Sequence, residues 1–245
     1  SATEALGERG DGSAVPGLIN ALRKEDDWYV RQAAARALGK IGYAAAAPAL
    51  LEALDDQDKN VCYAAAAALG EIGTFTAVPG LLQTLQYNQD DEVRQCVVEA
   101  LGQIKVSAAV PALLGILRDE EGDGREAAIW ALGQIRDAAA VPGLIETLQA
   151  DDKDLRKDAA EALGKIGDPA AGPGLITALT DGDSSVRGAA ARALGEIGGQ
   201  AVVPALTAAL EDPYEWVREA ASWALQQVGT PDALAAVAKW QRENQ

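Results

Sequence analysis

The chain has 245 residues, 49% of them hydrophobic and only 4% aromatic, with a formal net charge of −16, no histidine and two cysteines. So acidic a field disfavours nucleic acid and anionic membranes as partners, because phosphates are bound through clustered Lys and Arg. Without histidine, His-based triads and ordinary zinc sites are excluded, and two thiols alone cannot hold a zinc or iron–sulfur centre. The sequence also lacks the run of about 18 apolar residues that a membrane span requires.

In chain order, Ser1-Ala2-Thr3-Glu4-Ala5-Leu6-Gly7 reads as the second half of a repeat helix and not as a signal peptide. Its Leu-Gly pair recurs at Leu38-Gly39, Leu69-Gly70, Leu101-Gly102, Leu132-Gly133, Leu163-Gly164 and Leu194-Gly195, with a degenerate copy at Leu225-Gln226. Successive spacings are 32, 31, 32, 31, 31, 31 and 31 residues. Pro16, Pro48, Pro79, Pro111, Pro142, Pro173 and Pro204 keep the same period. Such self-similarity marks stacked supersecondary units that bury their apolar faces against their neighbours.

The spacing predicts a single array over residues 1–245. It opens on a half-repeat (1–10), continues through repeats at 11–42, 43–73, 74–105, 106–136, 137–167, 168–198 and 199–229, and closes on a cap helix within 230–245, near Pro231–Glu243. The two 32-residue repeats carry their extra residue before Val30 and Val93, in the turn between helices.

The copy from Asp168 to Gly198 shows the unit most clearly. Asp168 caps a first helix whose opening turn holds Pro169 and Pro173, where a missing N–H costs little. Leu175, Ile176 and Leu179 give that helix an apolar face. Asp183 caps a second helix from Ser184 to about Glu196, with Val186, Ala189, Ala190, Ala193, Leu194 and Ile197 buried, and Gly198 ends it. The expected fold is therefore all-α: an α-solenoid of about seven two-helix repeats.

The pairs Asp27/Arg31, Asp90/Arg94, Asp152/Arg156 and Asp183/Arg187, with the variant Glu121/Arg125, recur at i, i+4. Repetition in unit after unit makes them a structural ladder and not catalytic groups. Repeat two breaks the ladder, because Cys62 takes the Arg slot beside Asp58. Glycines are assigned to helix caps and turns, with no phosphate-cradling loop. Gly122 and Gly124 should delay the start of the second helix of repeat four. Cys62 and Cys96 occupy non-equivalent positions in successive repeats and read as free thiols in a reducing, cytoplasmic setting.

Residues that do not repeat carry the functional signal. Counting from the Val of each second helix, positions −2, +2, +6 and +10 form one outward stripe. Trp28, Gln32, Arg36 and Lys40 fill it in repeat one, with Tyr29 adjoining, and Tyr63 and Trp130 stand at +2 and +6 of repeats two and four. Repeat seven adds Trp216 at −1, Glu219 at +2 and Trp223 at +6. Aromatics on an otherwise polar stripe are typical anchors of a binding surface. The bland counterpart is that Trp216 and Trp223 cover the C-terminal helix, where Trp240 lies. Glu71, Asp91, Glu92, Glu99, Asp123 and Glu126 make the middle of the stripe acidic, and Lys153, Lys157 and Lys165 interrupt it in repeat five alongside Asp154 and Glu161. That zoning suits a basic or mixed-charge protein surface.

The pattern Asp-x-x-Val-Arg-x-Ala-Ala-x-x-Ala-Leu-Gly-x-Ile-Gly, followed by Ala-Val-Pro-x-Leu, resembles the PBS-lyase-type HEAT-like repeat across residues 1–228. The resemblance implies a right-handed superhelix whose Val-Arg helices line the concave face. It also spans several functions: phycobilin lyase subunits, phycobilisome-degradation factors, deoxyhypusine hydroxylases and artificial binding scaffolds. The hydroxylases bind iron through His-Glu pairs, so a chain without histidine is not one of them. Cys62, Gly124 and the two longer repeats depart from the regularity of an artificial scaffold.

The sequence thus points to a non-enzymatic scaffold that binds a protein or peptide without a cofactor. Trp28, Tyr29, Tyr63, Trp130, Trp216 and Trp223 would be its apolar anchors, and Arg36, Glu99, Glu126, Glu161 and Arg192 would set polar register. The alternative is a bilin lyase or lyase-like chaperone, with Glu99, Asp123 and Glu126 hydrogen-bonding the pyrrole nitrogens of an open-chain tetrapyrrole. Self-association through the open solenoid ends is a further expectation.

Overall fold

The computed structural model of the chain describes residues 12–118 and 124–243. All regular structure among these residues is helical. The α-helices are α1 (Val15–Lys24), α2 (Trp28–Ile41), α3 (Ala47–Glu52), α4 (Lys59–Ile72), α5 (Val78–Tyr87), α6 (Asp91–Ile104), α7 (Val110–Arg118) and α8 (Arg125–Ile135). They continue with α9 (Val141–Thr147), α10 (Lys153–Ile166), α11 (Gly172–Ala178), α12 (Ser184–Ile197), α13 (Val203–Ala209), α14 (Glu215–Val228) and α15 (Pro231–Glu243). Odd helices through α13 open the repeats and even helices close them. The half-repeat at 1–10 and the residues Glu121, Gly122 and Asp123 lie outside the described residues.

The chain divides into two compact units, residues 1–131 and 132–245, with the division inside α8. In the first, α2 packs on α4 and α4 on α6; in the second, α10 packs on α12 and α12 on α14. These even helices form the tightest layer of each unit. Leu38, Leu69 and Leu101 in the first unit, and Leu132, Leu163, Leu194 and Leu225 in the second, are wholly buried.

Local sequence explains where helices begin and end. Asp27, Asp58, Asp90, Asp152 and Asp183 each cap an even helix by accepting a backbone N–H two residues on. Gly42, Gly73, Gly167 and Gly229 close even helices with φ between 66° and 75°. In repeats three and four that slot is filled by Lys105 and Arg136, both at φ 58°. Gly198 also has positive φ, 74°, but an extended ψ of −163°. The odd helices start differently from expectation. Asp168 caps a separate 3₁₀ turn, Pro169–Ala171, and α11 follows with Pro173 in its first turn. The extra residue of the longer repeats is absorbed by α1 and α5, ten residues each against seven in α9, α11 and α13. α8 does start late, at eleven residues against the usual fourteen.

The Leu-Gly glycines among the described residues are neither caps nor turn residues, which corrects the sequence-based assignment. Each lies inside an even helix, against the next even helix. A methyl group on Gly39, Gly70 or Gly102 would stand 2.9, 3.1 or 2.9 Å from the Cα of Ala68, Ala100 or Ala131. On Gly133, Gly164 or Gly195 it would stand 3.2, 2.9 or 2.7 Å from the Cα of Ala162, Ala193 or Ala224. The obstacle is backbone, which cannot rotate away. At Gly39, Gly102, Gly164 and Gly195 the backbone lies closer than a Cβ tolerates, and at Gly70 and Gly133 a Cβ would force the neighbouring helix to give by a few tenths of an ångström.

The Asp/Arg ladder exists with different partners. The i, i+4 aspartates are occupied as N-caps, and Arg31, Arg156 and Arg187 reach the turn of the following repeat. Arg31 pairs with Asp56 through two 2.8 Å bonds, and its Nη1 donates to the carbonyls of Glu25 and Asp26 at 2.9 and 3.0 Å. In the second unit Arg156 holds Asp181 at 2.8 and 2.9 Å, and Arg187 holds Asp212 at 2.6 and 3.0 Å. Arg94 instead pairs with Asp91, at 2.7 Å within its own helix. The guanidinium of Arg156 holds Asp181 below the ordinary carboxylate range, and that of Arg187 does the same for Asp212.

Two predictions follow from these contacts. Gly195→Ala should destabilise the protein by about 1–2 kcal/mol, because overpacking outweighs the better helix propensity of alanine. Gly115→Ala, inside α7 with open space around it, should stabilise by about 0.5–1 kcal/mol. Urea midpoints of opposite sign check this; a stabilised Gly195→Ala would refute the close-contact account. The ladder carboxylates have depressed pKa values in the folded state, so their contribution is present above the unfolded value of about 3.9 and vanishes as pH falls through the lower folded value. Asp181→Asn with Asp212→Asn should therefore cost about 2–3 kcal/mol at neutral pH. The loss should narrow between about pH 4 and pH 2, as read from thermal midpoints across that range.

Candidate functional site

The buried positions +5, +7, +8 and +9 of the even helices leave +6 and +10 as the outward rows. In the first unit the +6 row is Arg36, Ala67, Glu99 and Trp130, all exposed except half-buried Glu99. In the second it is Glu161, Arg192 and Trp223, all exposed. Position +2 does not belong to this stripe throughout, contrary to the sequence reading. Gln32 and Gly188 are buried there, because the neighbouring even helix covers them, and Tyr63 and Lys157 are half-buried.

Trp130 and Trp223 share one construction. The Cζ3 atom of Trp130 lies 2.8 Å from where a Cβ on Gly102 would be, and that of Trp223 lies 3.0 Å from the same point on Gly195. Each indole is thus seated on the bare backbone of the preceding even helix. The two residues remain 38% and 40% exposed, so each indole is partly packed and partly open to solvent. Trp216 also contacts the preceding helix, its Cδ1 3.7 Å from the Cβ position of Gly188. Trp216 and Trp223 are therefore built onto α12.

The remaining aromatics form separate groups. Trp28 and Tyr29 meet edge to face at 6.0 Å on the first turn of α2. Tyr214 and Trp216 pack at 4.7 Å, and the Arg187 guanidinium lies 5.5 Å from the Tyr214 ring centre. Tyr214 escaped the sequence reading, yet it stands where the other even helices carry a capping Asp, and that substitution was its signal. Tyr43, Phe75 and Tyr87 are likewise exposed, outside the outward rows.

Polar residues of the candidate set are partly engaged. The Tyr63 hydroxyl donates to the Glu92 carboxylate, which also binds Lys59 Nζ at 3.2 Å. Desolvation and the Glu92 carboxylate raise the Tyr63 phenol, which stays protonated. Tyr63 therefore ties α4 to α6 and is constrained in its position. Glu99 accepts from Gln95 at 3.4 Å, and Glu161 lies 3.9 Å from Lys157. Glu126 is exposed in the first turn of α8. Asp123 lies outside the described residues.

Cys62 and Cys96 are both free thiols. Burial, with help from the Asp56 carboxylate, pushes the Cys62 thiol up to about 11, so it is not a reactive thiolate at neutral pH. A cleft of about 520 Å³ lies between α5, α6 and α7, lined by Leu82, Leu85, Val98, Pro111, Ile116 and others. None of the sequence-predicted anchors lines it. Among the described residues no cluster of His, Cys, Asp or Glu is placed to hold a metal ion. No described helix is long and apolar enough to cross a membrane.

Paired helices in a repeating stack, with the candidate site on an open face of the even helices, define a helical-repeat solenoid. The family description "HEAT repeats" matches residues 1–62, 47–128, 115–184 and 172–245, and the chain belongs to that family. A chain of the complex of CpcE and CpcF of phycocyanin lyase from Nostoc sp. PCC7120 is similar in structure, with TM-score 0.56 and 26% identity over 93% of this chain and 94% of that one. An engineered protein of known structure shares the fold, with TM-score 0.57 and 24% identity over 98% of this chain and 77% of its own. No curated protein matches the chain in sequence.

Proposed function

We propose that this chain is a non-enzymatic scaffold that binds a protein or peptide on the face of its even helices. One observation carries the reading. Trp130 and Trp223 occupy the same slot, each fixed on a glycine seat and still about two-fifths exposed. A ring already immobilised by its seat loses little freedom when a partner covers it, which is what makes an efficient anchor. Arg36 and Glu99 in the first unit, and Glu161 and Arg192 in the second, hold the same +6 position and would set polar register around the anchor of their own unit, with Glu126 in the first turn of α8. Trp28, Tyr29, Tyr63 and Trp216 would extend the contact toward the helix starts. The net charge of −16 favours a partner with a basic or mixed-charge surface and steers its approach.

A second reading rests on the likeness to a chain of the phycocyanin lyase complex. In it the chain handles a bilin, an open-chain tetrapyrrole, on the same aromatic face, with Glu99 and Glu126 near the pyrrole nitrogens. The same likeness, to a protein that works as a complex, supports a protein partner in either reading.

The test compares the parent with Trp130→Ala/Trp223→Ala, both checked for helicity by circular dichroism. A partner captured from lysate and identified is then titrated against both proteins. Loss of two anchor residues should weaken binding by at least about 100-fold. Equal affinity for parent and folded variant would refute the proposed face. Adding free bilin should leave its absorbance spectrum unchanged; a shift that the double variant abolishes would favour the second reading.

A further inference from the structure

Repeats two and three depart from the pattern at two slots that line one cleft, Cys62 in repeat two and Asn88 at the turn of repeat three. Cys62 stands where Arg31, Arg156, Arg187 and Arg218 stand elsewhere, and Asn88 stands where Asp56, Asp181 and Asp212 do. In those four arginines Nη1 donates to the carbonyls six and five residues earlier. Arg156 reaches Ala150 and Asp151 at 2.8 and 2.9 Å, and Arg218 reaches Asp212 and Pro213 at 2.7 and 3.0 Å. In repeat two the carbonyl six residues earlier, that of Asp56, faces the Cys62 thiol at 3.3 Å, a weak donor. Asn88 keeps the turn geometry, since its Oδ1 accepts the Asp90 N–H at 2.9 Å as Asp181 accepts that of Asp183 at 2.8 Å.

The clefts beside the two slots share six equivalent lining positions, Leu148 to Asp151, Arg156 and Asp181 in one and Leu54 to Gln57, Cys62 and Asn88 in the other. One of about 360 Å³ is lined by Leu148, Ala150, Asp151 and Asp181, with Arg156 filling part of its wall. The other, about 410 Å³, is lined by Leu54, Asp56, Gln57 and Asn88, with Cys62 in place of the arginine. Its wall adds Asp55 and Asp90, and the cation there, Lys59, is engaged by Glu92 at 3.2 Å. Acceptors that elsewhere bind a guanidinium are therefore retained in a negative field, while the side chain that would reach them is cut back to a thiol.

We propose that this cleft binds a guanidinium group supplied from outside the fold, donating to the main-chain carbonyls of Asp56 and Gln57 and to Asn88 Oδ1. A planar fork of donors matches this set, and a point-charge ammonium does not. Asn88 offers one oxygen where aspartate offers two, so affinity is in the millimolar range. The source is an arginine side chain of a partner or a small guanidinium compound.

Thermal unfolding at matched ionic strength, in about 20 mM N-acetylarginine amide, methylguanidinium or N-acetyllysine amide, tests the site. The arginine probe should raise the parent's midpoint by about 2 °C relative to the lysine probe. A smaller rise with methylguanidinium assigns the site to an arginine side chain; an equal rise assigns it to any guanidinium compound. Cys62→Arg, which restores an internal guanidinium, should abolish the response. Cys62→Ala should keep it, and stands as the comparison if the arginine variant does not fold. Equal shifts from the arginine and lysine probes, or an undiminished response in folded Cys62→Arg, would overturn the proposal.

Discussion

The contact between the Leu-Gly glycine of one even helix and an alanine backbone of the next sets nearly everything else in each unit. Glycine inside a helix costs about 1 kcal/mol relative to alanine, so its recurrence needs a compensating gain. The gain is close packing, with a Cβ at Gly195 having only 2.7 Å to the Cα of Ala224. Once helices are this near, the residues flanking the contact must be small or buried. That confines Ala, Leu and Gly to the layer and leaves positions +6 and +10 free to vary. The functional row is therefore a consequence of the packing: it is what close approach leaves outside. Trp130 and Trp223 exploit the same glycines, because a residue without a side chain gives an indole ring a flat place to lie.

A second interaction works at the turns. Arg31, Arg156 and Arg187 each join three backbone or side-chain systems: their own turn carbonyls, the aspartate of the next turn, and through that aspartate the next capped helix. Arg156 and Arg187 illustrate this in sequence, since Asp181 accepts from Arg156 while its own carbonyl accepts from Arg187. The turn aspartate also receives the capping residue's N–H, so one carboxylate fixes both turn shape and repeat spacing. Asn88 preserves the first duty and loses the charge, and its facing residue, Cys62, has lost the guanidinium. Both members of that pair therefore depart from the ladder together.

The period, the helix pairs, the capping aspartates and the closing helix at Pro231–Glu243 were legible because each rests on a local signal repeated many times. The glycine contact was not, because glycine serves as both helix terminator and close-contact residue, and only its place within the helix separates the two. Arg31 illustrates the other failure. Asp27 is its helical neighbour at i, i+4, but capping turns that carboxylate toward Tyr29 N, and the arginine partner lies 25 residues on. The doublet Asp56-x-Asp58, repeated at Asp181-x-Asp183, held the information in plain sight. For the candidate face, the +6 row emerged from spacing alone, while the role of Tyr63 depends on Glu92 in the following repeat.

In the scaffold proposed above, charge and anchoring divide the work of recognition. A field of −16 acts over distances comparable with the Debye length and biases which partners arrive, but it is weakened by salt and reads no shape. Shape is read by fixed features. Trp130 is held on Gly102 and Trp223 on Gly195, so their exposed faces are presented without the ordering cost that a mobile side chain imposes. The Trp28–Tyr29 and Tyr214–Trp216 pairs gain similar rigidity from ring contact at 6.0 and 4.7 Å. A rigid layer with immobilised aromatics and variable charges between them can hold its framework constant while the row changes identity. Specificity then resides in the few residues that break the repeat, which is why Trp130, Trp223 and Cys62 carry more functional information than the many residues that obey it.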